Sequence, residues 1–395
     1  MAAIPLRGAG GLPGPVADCP PQHGVAAPTG TPWAQQALAL ADVWRFTRGA
    51  GVTVAVIDSG VDANPQFRGR VTVGPDLAGG AFGAPRGADC VGHGTSVAGI
   101  IAAAPIAGVS FAGVAPAARI LSIKITDSAQ FPGTVAPRAI VDAVNLGANV
   151  INLSLATTAP SPTLRAAVDY ALARNVVVVA AAGNDDPGSG TGPFYPAAYP
   201  GVLSVGAIGP DGALASFSDT HTPVTVTAPG VNITSTYPGV FPDAYDPALS
   251  GTSFATAFVS GVVALVRASH PRLDAAQVVA RIRATADGSA GRGTGNGMVN
   301  PVQAVTALLP SSVLASGSLA GSAPSVRPVK VAITRASSPD RHTRIAAIAV
   351  TAGAFGLVIV VAVGAMIFTV GRRRSRPESP IWSKDLLSIS LDSIL

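Results

Sequence analysis

The sequence predicts an α/β protein, with a doubly wound, mostly parallel sheet carrying helices on both faces and one C-terminal transmembrane helix. Three observations lead there. From Pro32 onward, short apolar runs rich in Val and Ile alternate with longer helical stretches, the pattern of parallel strands joined by crossover helices. The run Val176–Ala181 is continuously apolar, as a strand covered on both faces must be. Ile345–Val370 is 26 residues long without one charge, about 39 Å as a helix at ~1.5 Å per residue, against a hydrocarbon core of ~30 Å.

Taken in order, residues 1–31 are rich in Gly, Pro and Ala and contain no apolar run of signal-peptide length. They are expected to form a leader without regular structure. Residues 32–310 follow as the α/β domain. Strands are expected at Val52–Ile57, Arg119–Ile125, Val150–Leu155, Val176–Ala181, Val202–Ile208 and Val224–Ala228, where β-branched residues cluster between turn formers. Helices are expected at His93–Ala104, Val135–Leu146, Ser161–Arg174, Thr252–Ser269 and Asp274–Thr285, several of them opened by a Ser, Thr or Asp that can cap the first turn. A last amphipathic stretch, Pro301–Leu309, closes the domain. Residues 311–344 read as a Ser-, Gly-, Ala- and Pro-rich linker. Residues 371–395 form a basic tail: Arg372, Arg373, Arg374 and Arg376 follow the apolar segment and outnumber Arg341 and Arg344 before it. That asymmetry places the tail in the cytoplasm and the domain outside.

Charge and composition narrow the function classes. The net charge is +5, which invites a nucleic-acid reading. Ten of the 26 Lys and Arg residues but only four of the 21 acids lie beyond residue 310. The domain itself is therefore near neutral, and nucleic acid is excluded as its partner. His23, His221, His270 and His342 stand apart from any ligand spacing and read as surface residues, so neither a metal nor an organic cofactor is expected. The two cysteines are Cys19, in the leader, and Cys90, three residues before His93. Such a pair is compatible with buried or free thiols and with a single bridge.

Chemistry concentrates in three short motifs. Leu249–Ser269 opens with small turn-prone residues and then runs apolar with helical continuity, which puts Ser253 at the mouth of a buried helix. There the first-turn N–H groups and the helix dipole favour negative charge. Ser253 alone could equally be a helix cap. Val52–Gly60 ends its apolar run in Asp58, and Gly92–Ala104 is a helix opened by His93. An acid at a strand end, a histidine at one helix start and a serine at another are the parts of a Ser-His-Asp triad. A fourth element, Val176–Asn184, delivers Asn184 just beyond a strand, where a side-chain amide can donate to an oxyanion for roughly 3 kcal/mol of transition-state stabilisation.

With D-S-G at Asp58, G-H-G-T at His93 and G-T-S-F-A at Ser253, the chain resembles the subtilisin-family serine proteases (subtilases) over roughly Pro32–Leu309, in the same Asp, His, Ser order. More narrowly it is similar to the mycosins, membrane-anchored subtilases associated with type VII secretion, through P-W-A-Q-Q-A-L at 32–38, T-R-G-A-G-V-T-V-A-V-I-D-S-G-V-D at 47–62, D-C-V-G-H-G-T at 89–95 and the C-terminal apolar segment. The resemblance implies a serine endopeptidase acting on polypeptides, with type VII secretion components as partners. It also implies that Ser154, Leu155 and Ala156 pair with an extended substrate, that Ala181, Ala182 and Gly183 line the other side of the specificity pocket, and that Cys19 and Cys90 are bridged in an oxidising compartment. An exported protein needs an export signal; either the chain starts upstream of Met1 or the C-terminal segment directs insertion. Two departures stand out: Ala156 replaces a family Gly, and Ala257 a family Pro. A rival reading is a scaffold of a secretion membrane complex whose protease activity is secondary or lost. A lipase reading fails because G-T-S-F-A is not G-x-S-x-G.

Overall fold

In the computed structural model, the described residues are 24–79, 86–128, 134–185, 192–288, 291 and 293–315. The chain divides into two units, 1–322 and 323–395. The described residues all belong to the first; the predicted membrane segment and the basic tail lie outside them, as do Cys19 and most of the linker.

The strands of the main sheet are β1 (Thr53–Asp58), β2 (Val71–Asp76), β3 (Arg119–Lys124), β4 (Val150–Leu153), β5 (Val177–Ala181), β6 (Leu203–Ile208) and β7 (Val226–Pro229), in the spatial order β2-β3-β1-β4-β5-β6-β7. Every pairing in it is parallel. A small antiparallel ribbon pairs β8 (Ile233–Thr236) with β9 (Tyr245–Leu249). The helices are α1 (Trp33–Ala37), α2 (Leu40–Val43), α3 (His93–Ala102), α4 (Ala136–Asn145), α5 (Pro162–Ala173), α6 (Thr252–Ser269), α7 (Ala275–Ala284), α8 (Pro301–Thr306) and α9 (Ser311–Ala315).

The two-residue period of the strands builds two cores. Val54 and Val56 of β1, Val177 and Val179 of β5, and Leu203 and Val205 of β6 face a layer that contains α3 and α6. Their neighbours Ala55, Ile57, Val178 and Ala180 face the opposite layer, which contains α4 and α5. Both faces are thus dry, which explains the uninterrupted apolar runs. Helix α6 is apolar enough to cross a membrane, yet 83% of its apolar window is buried inside the protein. It is the central core helix of the domain.

Topology selects the place for chemistry. From β1 the chain goes outward to β2, returns to β3 beside β1, and then crosses to β4 on the other flank of β1. The crevice beyond the carboxyl ends of β1 and β4 is therefore a switch point, where open α/β sheets bind ligands. Several element bounds differ from the sequence expectation. Strand β4 ends at Leu153, so Ser154 and Leu155 continue beyond the sheet, and β7 is displaced to Val226–Pro229. The edge strand β2 (V-T-V-G-P-D), half exposed and carrying Gly and Pro, and the ribbon β8-β9 are additional elements.

Candidate active site

The carboxylate of Asp58 closes β1 and is fully buried. Its Oδ1 accepts from His93 Nδ1 at 2.8 Å and from the Ser59 backbone N–H at 2.8 Å. Because Nδ1 faces a carboxylate, it carries the imidazole proton, and Nε2 presents its lone pair to the other side. Such proximity demands a glycine. A Cβ on Gly94, in the first turn of α3, would stand 2.1 Å from the Gly60 carbonyl oxygen and 3.1 Å from the Asp58 Cβ. The sequence G-H-G therefore lets the helix that carries His93 press directly on the strand that carries Asp58.

Ser253 is the second residue of α6 and half buried. The His93 ring packs against Phe254, the next residue, with centroids 5.3 Å apart. The Ser253 hydroxyl donates to the Ser154 carbonyl at 3.2 Å, and the Ser154 hydroxyl donates to the Ser253 carbonyl at 2.9 Å. Behind this exchange, Asn152 Nδ2 donates to Ser154 Oγ at 2.9 Å, and Ser260 Oγ donates to Asn152 Oδ1 at 2.8 Å. This buried polar chain ties the end of β4 to two turns of α6. Asn152 and Ser260 were not singled out in the sequence, although each interrupts an otherwise apolar run.

Asn184 lies three residues beyond β5. Its Oδ1 accepts from both the N–H (3.1 Å) and the hydroxyl (2.8 Å) of Thr252. The amide is thereby turned with its donor nitrogen toward Gly251, where a Cβ would stand 3.6 Å from Nδ2. Ala181 and Ala182 are buried, and Gly183 has φ +105°, a conformation in which a side chain would also meet the Phe194 ring at 2.3 Å. On the facing edge Ser154 and Leu155 are buried, whereas Ala156 is exposed. The fold thus brings Asp58 onto His93, the His93 ring against Phe254 next to Ser253, and Ser154 and Asn184 into hydrogen bonds with Ser253 and Thr252.

Burial acts against the charged form of His93, but the charge and hydrogen bond of Asp58, with the charge of Asp89 behind them, outweigh it and raise its pKa above the usual histidine value. Asp89 is a further residue that the sequence reading missed. It is 1% exposed and sits in the loop before α3. Cys90 is buried, with the Lys124 ammonium 3.8 Å from its sulfur, while Lys124 also pairs with Asp127 and donates to the Ala88 carbonyl.

Among the described residues, one grouping with metal-binding potential escaped the sequence reading. Asp185, Asp219 and His221 bring ligand atoms within 4.8 Å of one another. Asp219 is buried and holds its own loop, accepting from His221 Nδ1 at 2.9 Å and from the His221 N–H at 3.1 Å. Those bonds from its own loop account for the carboxylate as a turn former.

Residues 49–303 match the family model described as the subtilase family of S8 peptidases. The chain belongs to the subtilase family. It is accordingly a subtilisin-like serine endopeptidase in class, and its fold agrees. Among relatives within the family, it is 38% identical to Mycosin-1 of Mycobacterium tuberculosis over 70% of this chain and 73% of that protein. It is 34% identical to Mycosin-3 of the same organism over 95% of this chain and 90% of that one. A solved structure described as the serine protease MycP1, an essential component of the type VII (ESX-1) secretion system, superposes with a TM-score of 0.63 at 36% identity, covering 72% of this chain and 92% of that chain.

Proposed function

We propose that this subtilase hydrolyses polypeptides with Ser253 as nucleophile, His93 as general base and then general acid, and Asp58 as the group that orients the imidazole and stabilises the imidazolium. The observation that carries the reading is the 2.8 Å contact from His93 Nδ1 to a fully buried Asp58, with the same ring packed against the residue after Ser253. The Ser253 hydroxyl passes its proton to Nε2 as its oxygen attacks the scissile carbonyl. The oxyanion so formed is met by the Asn184 amide and the Ser253 N–H at the start of α6. The protonated His93 then releases the amine, and water resolves the acyl-enzyme by the same path in reverse. Ser154, Leu155 and Ala156 form the edge that pairs with extended substrate, opposite Ala181, Ala182 and Gly183.

The biological setting proposed is a type VII secretion complex, on the likeness to mycosins over nearly the whole chain. The domain faces outward, Ile345–Val370 spans the membrane, and the tail beyond it is cytoplasmic. Cys19 is bridged to Cys90, which is not a free thiol. The test is complementation of a deletion strain by Ser253→Ala, with His93→Ala and Asp58→Ala alongside. Loss of substrate cleavage in all three is expected. Wild-type cleavage by purified Ser253→Ala would overturn the mechanism, and full secretion by an inactive Ser253→Ala would favour the scaffold reading.

A further inference from the structure

Asp89 carries more hydrogen bonds than a loop carboxylate needs for its own turn. Its Oδ1 accepts from Ser59 Oγ at 2.8 Å, the Val91 N–H at 3.1 Å and the Gly92 N–H at 2.8 Å. Its Oδ2 accepts from the Thr95 N–H at 2.8 Å and the Thr95 hydroxyl at 2.7 Å. These donors come from two different elements. Val91 and Gly92 lead into His93, Thr95 belongs to the first turn of α3, and Ser59 directly follows Asp58. Ser59 makes the junction: its hydroxyl donates to Asp89 and accepts from the Gly94 N–H at 3.0 Å, while its backbone N–H donates to Asp58 Oδ1 at 2.8 Å. One carboxylate therefore holds both the acid and the base of the triad from behind, without touching the substrate.

We propose that Asp89 is a positioning residue for proton transfer in this enzyme, fixing Asp58 through Ser59 and fixing the entry of His93 through the Val91, Gly92 and Thr95 N–H groups. The proposal rests on the triad reading given above. A turn-forming aspartate would need only the Val91 and Gly92 bonds; the bonds to Ser59 and to Thr95 Oγ1 serve the geometry between β1 and α3. Its charge has a separate effect. A negative group behind His93 favours the imidazolium that forms as Ser253 attacks, in the same direction as Asp58.

The charged and titratable groups around this cluster are few. Asp62 accepts from the Asp89 N–H at 2.8 Å and has its own pKa raised, first by burial. Lys124 lies behind Ala88 and Cys90. From the ribbon, Tyr237 places its hydroxyl 3.4 Å from the Val91 carbonyl, and burial, then Asp246 and Asp89, raise its pKa. Among the described residues, Asp58 first and then Asp89 raise the pKa of His93.

The test uses the full-length chain and a tetrapeptide p-nitroanilide, with kcat and kcat/KM measured against pH. Asp89→Asn keeps the shape and removes the charge. It should move the acid limb of kcat/KM to lower pH by about half a unit and lower the plateau kcat about tenfold with little change in KM. Ser59→Ala cuts the bridge and leaves the charge in place. It should lower kcat by a similar factor while the acid limb stays near that of the parent. A merely structural role would lower thermal stability in both variants and shift neither the limb nor kcat at a temperature where both are folded. Parent kcat in folded Asp89→Asn overturns the proposal, as does parent kcat in Ser59→Ala, which carries the test if the first variant does not fold. Hydrolysis that survives in Ser253→Ala would instead sink the triad reading itself.

Discussion

At the scale of single residues, the chemistry depends on which form of His93 is present. The general base must be neutral; burial acts against its charged form, but the charge and hydrogen bond of Asp58 outweigh it and raise the folded-state pKa above the ordinary histidine value of 6.5. A raised pKa extends the inactive imidazolium to higher pH, so kcat/KM should fall on acidification with a midpoint above 6.5, not below it. A pH-rate profile with its acid midpoint under that value would contradict this electrostatic account. Asn184 makes a second prediction of the same kind. Because its Oδ1 is held by Thr252, Asn184→Leu removes the donor and also frees the Thr252 groups. Turnover should drop about 100- to 1000-fold with KM changed much less, and a loss confined to KM would show that the amide binds substrate and does not act on the transition state. The placement of Asp58, His93, Ser253 and Asn184 was legible in the sequence because each lies at or just beyond the end of a segment with a distinct apolar pattern. Asp89, Ser59 and Asn152 were not, because their roles arise from contacts between segments far apart in the chain, and spacing along one segment carries no trace of them.

At the scale of elements, β1, β4 and α6 were readable as apolar runs, while β2 and the β8-β9 ribbon were not. Strand β2 carries Gly and Pro and lies at an edge with one side partly open, so it lacks the continuous β-branched signature of the interior strands. The ribbon is short and mixed in polarity, with its β9 half partly exposed. Its stability comes from α3: Ser235 and Thr236 donate to the Ser96 and Thr95 carbonyls at 2.6 and 2.9 Å, a tertiary cause that no local pattern encodes. The junction of β1 with α3 makes the sharpest element-level prediction. In Gly94→Ala the new methyl would meet the Gly60 carbonyl oxygen at 2.1 Å, a backbone atom that cannot swing aside. The helix must retreat from the strand, at a cost of about 2 kcal/mol, which for a domain of this size lowers Tm by roughly 5 °C. Turnover should fall far more than stability, since the same retreat stretches the contact between His93 and Asp58. Equal activity in folded Gly94→Ala, checked by thermal melting and p-nitroanilide hydrolysis, would show that the close approach serves packing alone.

At the scale of the whole molecule, the proposed cysteine bridge depends on the proposed orientation across the membrane. The proposed polarity, with the tail in the cytoplasm and the protease outside, rests on the near-neutral domain, the uncharged run Ile345–Val370 and the arginines after it. Only there does a Cys19–Cys90 bridge persist, because cytoplasmic thiols are kept reduced. Such a bridge closes a loop of about 70 residues and stabilises the domain by up to ~4 kcal/mol in the chain-entropy model, less any strain. It also ties the leader to the loop that holds Asp89 and leads into His93, so the bond constrains the very segment on which the proton transfer depends. Alkaline phosphatase fused after Leu395 should therefore be inactive, whereas protease added to cells with a permeabilised outer envelope should reach the catalytic domain. Alkylation of the mature chain without reduction should label neither cysteine, and non-reduced peptide mapping should join the two segments. An active phosphatase fusion would reverse the orientation and predict two free thiols. An inactive fusion with both thiols alkylated would keep the orientation and remove the strap, leaving the loop before His93 held by non-covalent bonds that include those of Asp89, Asp62 and Lys124.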